Sequence, residues 1–378
     1  MKDVNNIAHL RDTFKNFEPT AYLFPTMRCN LKCQMCYSGS PYFIPTGDEL
    51  TGDDYCNLVD CLVDSGFTRF DISGGEPLLR PELIVRLAEK INANHARLQL
   101  VTNGTLLNTV LSKYSLKPEY FDFIAVSLDS SDEKTYNHIR GGRVYQSVVS
   151  GIRELVAQGF HVGLNVVCMD ENKYQIGHLL HTAEQLGVCF VHLLRNRQLS
   201  PYVDTHNPSF RQDWLNLYEQ LPSELSEVPD SLLVLVTLPP YIHHNFTNKL
   251  RAHFRGKGNI LILTDCIGGC GAFNQNIAIT SSGDVTGCVA MINEPELWLG
   301  NITQTQLSVL LEQNRTWCDA FGRRSSDLNI TPVCGSCFSF RYCKGGCPMM
   351  AQKVFSDWRE CDISCNAVYD SYNSSRKA

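Results

Sequence analysis

Three cysteines in one short loop are the residues whose types and spacing point most directly to chemistry. Cys29, Cys33 and Cys36 have the spacing CxxxCxxC, and the aromatic residue Tyr37 follows them. Iron–sulfur clusters are held by cysteine thiolates, normally four for each cluster. Three thiolates therefore leave one iron with an open position for a chelating ligand. The alternatives are three chance cysteines, or a zinc site that lacks its fourth ligand.

A second group of cysteines lies in the last third of the chain. The chain has 378 residues and 17 cysteines, and ten of the cysteines come after residue 265. Disulfide scaffolds are small and secreted, so this distribution favours metal binding instead. Two zinc sites of four cysteines each are the alternative to iron–sulfur clusters. The pattern comprises Cys334-x2-Cys337-x5-Cys343-x3-Cys347, with Cys266, Cys270 and Gly283-x4-Cys288 before it and Cys361 and Cys365 after it.

The elements that must position the first loop are strands alternating with helices. This order predicts a parallel sheet, and six βα units predict an open partial (β/α)6 TIM-like barrel rather than a closed one. The first cysteine loop directly follows the first strand, where barrel enzymes carry catalytic groups. The predicted strands are 21–25, 69–73, 97–102, 121–128, 161–167 and 188–194, and the predicted helices include 52–65, 81–93, 145–158 and 174–186.

Four segments follow from the pattern along the chain. We predict an N-terminal segment over 1–20, the partial barrel over 21–198, a helical bridge over 199–258 and a cysteine-rich domain over 259–378. The bridge is predicted from its scattered prolines, which interrupt the βα pattern.

Composition excludes several classes of protein. The net charge is −6 and no long basic run occurs, so neither a nucleic acid nor an acidic membrane surface is expected as a partner. Residues 1–19 lack the apolar core of a signal peptide. The longest apolar stretch, near 232–238, is too short to span a bilayer. A soluble, cytoplasmic protein is expected.

Further motifs occur in a recognisable order. Gly74-Gly75-Glu76-Pro77 follows the second predicted strand, Thr102-Asn103-Gly104 the third, and Ser127-Leu128-Asp129 ends the fourth. Together with the CxxxCxxC loop after the first strand, these motifs make the sequence resemble the radical S-adenosylmethionine (SAM) superfamily. The resemblance implies a [4Fe–4S] cluster on Cys29, Cys33 and Cys36 whose open iron binds SAM. Electron transfer from the cluster then cleaves a C–S bond and gives a 5′-deoxyadenosyl radical.

The resemblance also implies which residues contact SAM. Gly74, Gly75 and Glu76 are expected at its amino group, and Ser127 and Asp129 at its ribose or carboxylate. Two further candidates are Arg140, whose guanidinium suits the carboxylate, and Asn165, which suits the ribose. A glycine-rich turn is the alternative for the first group, and a structural role is the alternative for the last two.

The C-terminal cysteines resemble the SPASM extension of radical SAM enzymes, which holds two auxiliary [4Fe–4S] clusters. The implied ligands are Cys266, Cys270, Cys288 and Cys347 for the first cluster and Cys334, Cys337, Cys343 and Cys365 for the second. Cys361 is the alternative to Cys365, and without Cys266 the first cluster would keep an open iron. Such clusters can accept the electron that an oxidative reaction releases. The remaining cysteines, Cys56, Cys61, Cys168, Cys189 and Cys318, are expected to be small buried hydrophobes.

The family implies a peptide substrate. Most SPASM relatives modify peptides, and we expect oxidative C–C or C–S crosslinking of a ribosomally made precursor. Sulfatase maturases carry Asp after the GxxxxC cysteine, whereas this chain has Val289. This difference argues against sulfatase maturation. The expected partners are a reductant such as flavodoxin or ferredoxin and a separate leader-recognition protein, because twenty residues are too few for a recognition domain.

Two alternatives to a peptide maturase stay open. One is a dehydrogenase or epimerase for a small molecule such as an aminocyclitol. The other is a non-catalytic electron carrier or zinc scaffold, against which the GGEP segment argues. The sequence singles out no acid or base, although Tyr37, Asp71 and His192 lie at strand ends or loops of the predicted barrel.

Overall fold

The computed structural model describes residues 10–12, 14, 18–38, 48–196, 220–238, 250–264, 269–322, 332–363 and 365. Cys266 lies outside these residues, as do large parts of the predicted bridge. Within the described residues, no helix combines the length and the apolar character needed to cross a membrane.

Within the described residues, one open sheet of eleven strands organises the fold, in the order β11-β10-β9-β1-β2-β3-β4-β5-β6-β7-β8. Strands β1 to β8 are parallel neighbours in chain order, β9 lies parallel beside β1, and β10 and β11 complete one edge as antiparallel strands. The strands are β1 Thr20–Leu23, β2 Arg69–Ile72, β3 Arg97–Thr102, β4 Phe123–Ser127, β5 Val162–Cys168, β6 Phe190–Arg195, β7 Leu233–Leu238, β8 Ile260–Thr264, β9 Asn276–Ile279, β10 Asp284–Thr286 and β11 Gly300–Asn301.

Helices follow most of the parallel strands and cover one face of the sheet. Those of the barrel are α1 Gly52–Asp64, α2 Pro81–Ala93, α3 Leu107–Lys113, α4 Glu133–Arg140, α5 Tyr145–Ala157 and α6 Ile176–Leu186. Those of the C-terminal region are α7 Leu307–Gln313, α8 Arg315–Phe321, α9 Pro332–Gly335, α10 Phe340–Cys343 and α11 Pro348–Phe355. Short 3₁₀ turns occupy Pro77–Leu79, Pro118–Tyr120, Val289–Met291 and Pro295–Leu297.

Alternation along each strand separates the two faces of the sheet. On β5, Val162, Leu164 and Val166 pack with the helices in the main core. The opposite face near the start of the strands carries a second apolar cluster, in which Phe14 packs its ring 5.1 Å from that of Phe190 and 5.4 Å from that of Phe123. These aromatic rings fill the N-terminal end of the barrel, whereas the first cysteine loop follows the C-terminal end of β1.

The fold class expected from the sequence, a partial α/β barrel, is confirmed, and all six predicted strands are present with small shifts in their bounds. The sheet is larger than the sequence pattern indicated, because β7 and β8 continue it. Strand β7 lies in the segment interpreted as a helical bridge, and every residue of Leu233–Leu238 is buried. A strand buried on both faces has no polar alternation to reveal it. The domain boundaries at 198 and 258 stay predictions.

Candidate active site and cysteine clusters

The first cysteine loop begins directly after β1 and is fixed by backbone hydrogen bonds to its neighbours. The Gln34 N–H donates to the Ile139 carbonyl (3.1 Å), and the Cys36 N–H donates to the Cys33 carbonyl (3.3 Å). The first bond holds the loop against the end of α4, and the second closes a turn within the loop. Cys29, Cys33 and Cys36 are all partly buried there.

The three thiols lie close enough to influence one another. Burial raises the pKa of Cys29 to about 11, and the negative charges of Glu76, Cys33 and Cys36 add to the effect. Burial also raises the pKa of Cys33, and the positive charge of Arg140 opposes this shift. Metal binding requires thiolates, and a cationic metal centre offsets both the burial and the repulsion. The donor set therefore fits an iron–sulfur cluster.

The distances between possible metal ligands indicate which kind of metal centre the loop could hold. Among the described residues, no group of three or more Cys, His, Asp or Glu side chains is gathered closely enough for one metal ion. The thiolates of an iron–sulfur cluster bind different irons, so they lie farther apart than the ligands of a single ion. The described residues are therefore compatible with an iron–sulfur cluster, although they form no ready-made site for a single metal ion.

Two polar side chains point at the sulfurs of the loop. Asn103 Nδ2 lies 3.8 Å from Cys29 Sγ, and Arg140 Nη1 lies 3.7 Å from Cys33 Sγ. The Leu31 N–H also donates to Cys29 Sγ at 3.5 Å. Hydrogen bonds to cluster sulfurs set reduction potentials, so these donors would tune a bound cluster.

The glycines of the GGEP segment lie directly on the cysteine loop. Gly75 N–H donates to the Thr26 carbonyl (3.0 Å), and Glu76 N–H donates to the Arg28 carbonyl (2.8 Å). A Cβ added at Gly75 would lie 2.1 Å from the Arg28 carbonyl oxygen, and Gly74 has a φ of +119°. The sequence interpretation assigned the close approach to a ligand. The structure shows a close approach of Gly75 to the loop backbone, and a contact with a ligand stays a prediction.

Glu76 is fully buried and joins the loops after β2 and β3. Its Oε1 accepts hydrogen bonds from Thr102 Oγ1 (2.7 Å) and the Leu78 N–H (3.0 Å), and its Oε2 accepts from the Asn103 N–H (2.8 Å). Burial raises the pKa of Glu76 to about 7 although these three donors oppose the shift. The carboxylate thus holds Asn103 where its amide reaches Cys29.

Asp129 and Arg140 form a buried ion pair beside Cys33. Arg140 Nε donates to Asp129 Oδ2 at 2.6 Å, and Asp129 Oδ1 accepts from the Val167 N–H at 2.9 Å. Burial disfavours the charged guanidinium, but Asp129 and the Cys33 thiolate outweigh it, so the pKa of Arg140 lies above its ordinary value. The cation is therefore permanent and fixed at the edge of the loop.

The other predicted barrel residues lie on the inner face. Ser127 of β4 is in register with Asn165 of β5, and Asn165 is in register with His192 of β6. His192 Nε2 lies 2.7 Å from Thr237 Oγ1 on β7. These side chains form one row across the inner face of the sheet.

Two further candidates occupy different surroundings. Tyr37 packs partly buried between the first loop and the C-terminal region, and its carbonyl accepts from Asn293 Nδ2 at 3.2 Å. Asp71 is in register with Tyr22 and Gln99, and burial raises its pKa to about 7.

The sequence interpretation did not identify Asn103 as a site residue, although its TNG turn was the available signal.

Six C-terminal cysteines pack around one apolar cluster with Met349 and Phe321. Burial raises the pKa of Cys343 to about 12, and Asp362 and Cys365 add to this effect, so Cys365 lies near Cys343. Cys337 is exposed. The six cysteines of the cluster are Cys270, Cys288, Cys334, Cys347, Cys361 and Cys365.

The cysteines without a predicted ligand role differ in their surroundings. Cys168 and Cys318 are buried, as expected, while Cys56 and Cys189 are partly buried. The prediction is wrong for Cys61, which is exposed. It lies on the solvent side of α1, whose buried face is formed by Tyr55, Leu58, Val59 and Leu62.

Comparison with known proteins agrees with this geometry. Residues 23–183 match the Radical SAM superfamily. The mycofactocin maturase MftC of Mycobacterium tuberculosis is 27% identical over 341 residues, covering 88% of this chain and 78% of the maturase. The AdoMet-dependent heme synthase of Methanosarcina barkeri is 24% identical over 348 residues, covering 90% and 94% of the two chains.

A solved structure shares the fold over most of the chain. Streptococcus suis SuiB bound to S-adenosylmethionine superposes with a TM-score of 0.69 at 20% identity, covering 95% of this chain and 80% of SuiB. SuiB is also known bound to its precursor peptide SuiA. Members of the matched superfamily use SAM and a [4Fe–4S] cluster. Residues 23–183 therefore form a radical SAM domain, and the chain is similar to radical SAM enzymes over most of its length.

Proposed function

We propose that Cys29, Cys33 and Cys36 ligate the radical-generating [4Fe–4S] cluster. The three mutually interacting thiols, with Asn103 and Arg140 directed at their sulfurs, support this assignment. When bound, the cluster and SAM supply the 5′-deoxyadenosyl radical. The backbone of Gly74 and Gly75 fixes the loop, and Glu76 fixes Asn103. These three residues therefore contribute to the site by positioning the loop and Asn103.

The SAM-binding residues in this proposal occupy the inner face above the loop. Arg140 keeps its charge through Asp129 and is the group best placed for the SAM carboxylate near Cys33. Ser127 and Asn165, in register on β4 and β5, are the candidates for the ribose. Asp129 would act on SAM through Arg140, since its two oxygens accept hydrogen bonds from Arg140 and from the Val167 N–H.

We infer two auxiliary [4Fe–4S] clusters in the C-terminal region. The packing of six cysteines around one apolar cluster supports this, since a cluster site needs several thiols in a low-dielectric surrounding. The proposed ligands remain Cys270, Cys288 and Cys347 with Cys266 for one cluster, and Cys334, Cys337, Cys343 and Cys365 for the other. The effect of Cys365 on the pKa of Cys343 favours Cys365 over Cys361.

The proposed reaction is the oxidative modification of a ribosomally made precursor peptide, as a C–C or C–S crosslink. The observation that carries it is the match to a peptide maturase, MftC, through both the barrel and the cysteine-rich region. The fold shared with SuiB is compatible with it. A flavodoxin or ferredoxin would deliver the electron, a separate protein would present the leader, and the cytoplasm would keep the cysteines reduced.

A second candidate is the oxidation of a small molecule. The heme synthase match covers the chain as fully as the maturase match, at slightly lower identity. The two candidates share the radical chemistry and differ in the substrate that enters the barrel.

Anaerobic reconstitution tests the proposal. With SAM and dithionite, the protein should release 5′-deoxyadenosine, and a short peptide encoded beside the gene should lose two hydrogens by mass spectrometry. Peptide turnover should require all three clusters. No 5′-deoxyadenosine from a fully loaded protein would overturn the radical assignment, whereas release without any peptide change would favour the small-molecule candidate.

A further inference from the structure

Strand β8 lies at one end of the sheet. Within the described residues it pairs with β7 alone. An edge strand directs alternate N–H and C=O groups away from its neighbour, where they can pair with another extended chain. Leu261 and Ile262 of this strand are partly exposed.

A cationic cavity of about 370 Å³ opens beside this edge. Its lining includes Ile260, Leu261 and Ile262 of β8 together with Arg11, Arg251, Arg255 and Lys257. None of the described lining residues is acidic. The whole chain has a net charge of −6, so this concentration of positive charge is local and opposite to the overall sign.

Among the described residues, the hydrogen-bond partners of the cations around the cavity are backbone carbonyls and not carboxylates. Arg11 Nη1 donates to the Gly258 carbonyl at 2.6 Å, but the buried Arg11 Nε has no hydrogen-bond partner among the described residues. Lys257 Nζ donates to the Ser226 carbonyl at 2.6 Å. Arg251 and Arg255 are exposed, and the described part of the chain offers neither of them a carboxylate. The cavity therefore favours an anionic ligand.

We propose that an acidic, extended peptide segment binds along β8 as an additional strand and places its carboxylates in the cavity of Arg11, Arg251 and Arg255. The edge supplies main-chain hydrogen bonds, Leu261 and Ile262 supply apolar contact, and the arginines select charge. The inference rests on the proposed function, since it gives the precursor peptide a docking site. A nucleic acid does not fit, because four cations around one small cavity cannot follow a phosphate backbone.

Peptide binding to the full-length, cluster-loaded protein tests the site. The probe is a fluorescein-labelled peptide of alternating valine and glutamate, and fluorescence anisotropy measures its affinity. Charge reversal at two exposed positions, Arg251→Glu with Arg255→Glu, should weaken binding by roughly tenfold or more. A matched double reversal of exposed residues on other elements, Lys113→Glu with Arg153→Glu, should leave the affinity within about twofold of wild type.

Two further probes separate strand addition from simple anion binding. The same peptide with alternate N-methylated amides keeps its charge but loses edge hydrogen bonds, so it should bind at least roughly tenfold more weakly. A lysine-for-glutamate peptide should not bind. Equal binding of the methylated peptide, or equal weakening by both double reversals, would overturn the proposal. SAM cleavage without peptide, measured on the same samples, tests the radical function separately and should be unchanged in both double variants.

Discussion

The Nη1 atom of Arg140 lies 3.7 Å from the sulfur of Cys33. Because Asp129 holds the guanidinium by its Nε atom, a fixed positive charge faces the proposed cluster. A nearby positive charge favours the more negative, reduced form of a cluster. The pair therefore links the fourth strand of the barrel to the redox properties of the loop after the first.

Replacing Arg140 tests this link. Arg140→Gln should lower the reduction potential of the N-terminal cluster by something on the order of tens of millivolts, because the cation beside Cys33 is lost. Arg140→Lys should restore part of the shift. Redox titration followed by electron paramagnetic resonance measures the potential. The exposed neighbour Arg143 provides the control, and an equal shift in Arg143→Gln would refute a specific effect.

The cysteine loop itself gives the next prediction. Cys33→Ala should abolish reductive SAM cleavage, since two thiolates do not hold the cluster, while much of the C-terminal iron remains. Iron analysis and 5′-deoxyadenosine release measure the two effects. A Cys33→Ala protein that still cleaves SAM would contradict the assignment of the loop.

The C-terminal cysteines should behave in the opposite way. Cys337→Ala should spare SAM cleavage but stop peptide turnover, because the second auxiliary cluster loses a ligand. Cys337 is exposed, so its removal leaves no buried cavity. Cys61→Ala, at an exposed cysteine on α1, is the matched control and should change neither measurement. Full peptide turnover by Cys337→Ala would exclude an essential role for that ligand.

Gly75 supports the loop by its lack of a side chain. In Gly75→Ala the new Cβ would lie 2.1 Å from the carbonyl oxygen of Arg28, so the loop must shift. We expect a loss of about 1–3 kcal/mol in stability and weaker SAM binding by calorimetry. Gly177→Ala on α6 is the control, since its nearest neighbour would be 3.4 Å away. Unchanged SAM binding in Gly75→Ala would show that the loop tolerates displacement.

The cysteines of the loop could be identified from the sequence, but the residues that hold the loop in place could not. The spacing of Cys29, Cys33 and Cys36 is local, and the strand before them has a clear apolar pattern, so both could be identified along the chain. Glu76 was interpreted as a partner for the SAM amino group. That role stays a prediction. The structure shows that its oxygens accept hydrogen bonds from Thr102 Oγ1 and the Asn103 N–H, 26 and 27 residues away. Such contacts depend on which strands lie side by side, and no local pattern contains that information.

The size of the sheet was underestimated for a related reason. Strand β7 is buried on both faces, and such a short, mainly apolar run could equally well be interpreted as part of a buried helix. Only its position between β6 and β8 shows that it is a strand. The edge at β8, and the cationic cavity beside it, could be found only from the structure, because Arg11 and Arg251 come together through the fold.

Asp71 gives a prediction about pH. Burial raises its pKa from 3.8 to about 7, so the folded state binds this proton more tightly than the unfolded state. Stability should therefore fall as pH rises from about 4 to 7 and stay low above it. Asp71→Asn cannot ionise and should escape this loss. Relative to wild type, the variant should gain up to about 2 kcal/mol between pH 5.5 and 8, at about 1.4 kcal/mol per pKa unit.

Thermal unfolding of the cluster-loaded protein under anaerobic conditions measures this gain. Glu76 has a pKa raised in the same direction, so the wild-type slope alone does not isolate Asp71. The difference between wild type and Asp71→Asn does isolate it, because Glu76 is present in both. Asp122→Asn, at a carboxylate that accepts a hydrogen bond from Arg97, is a suitable contrast, since removing that partner should destabilise the protein at both pH values. A difference between wild type and Asp71→Asn that does not change with pH would show that the Asp71 carboxyl is ionised throughout this range.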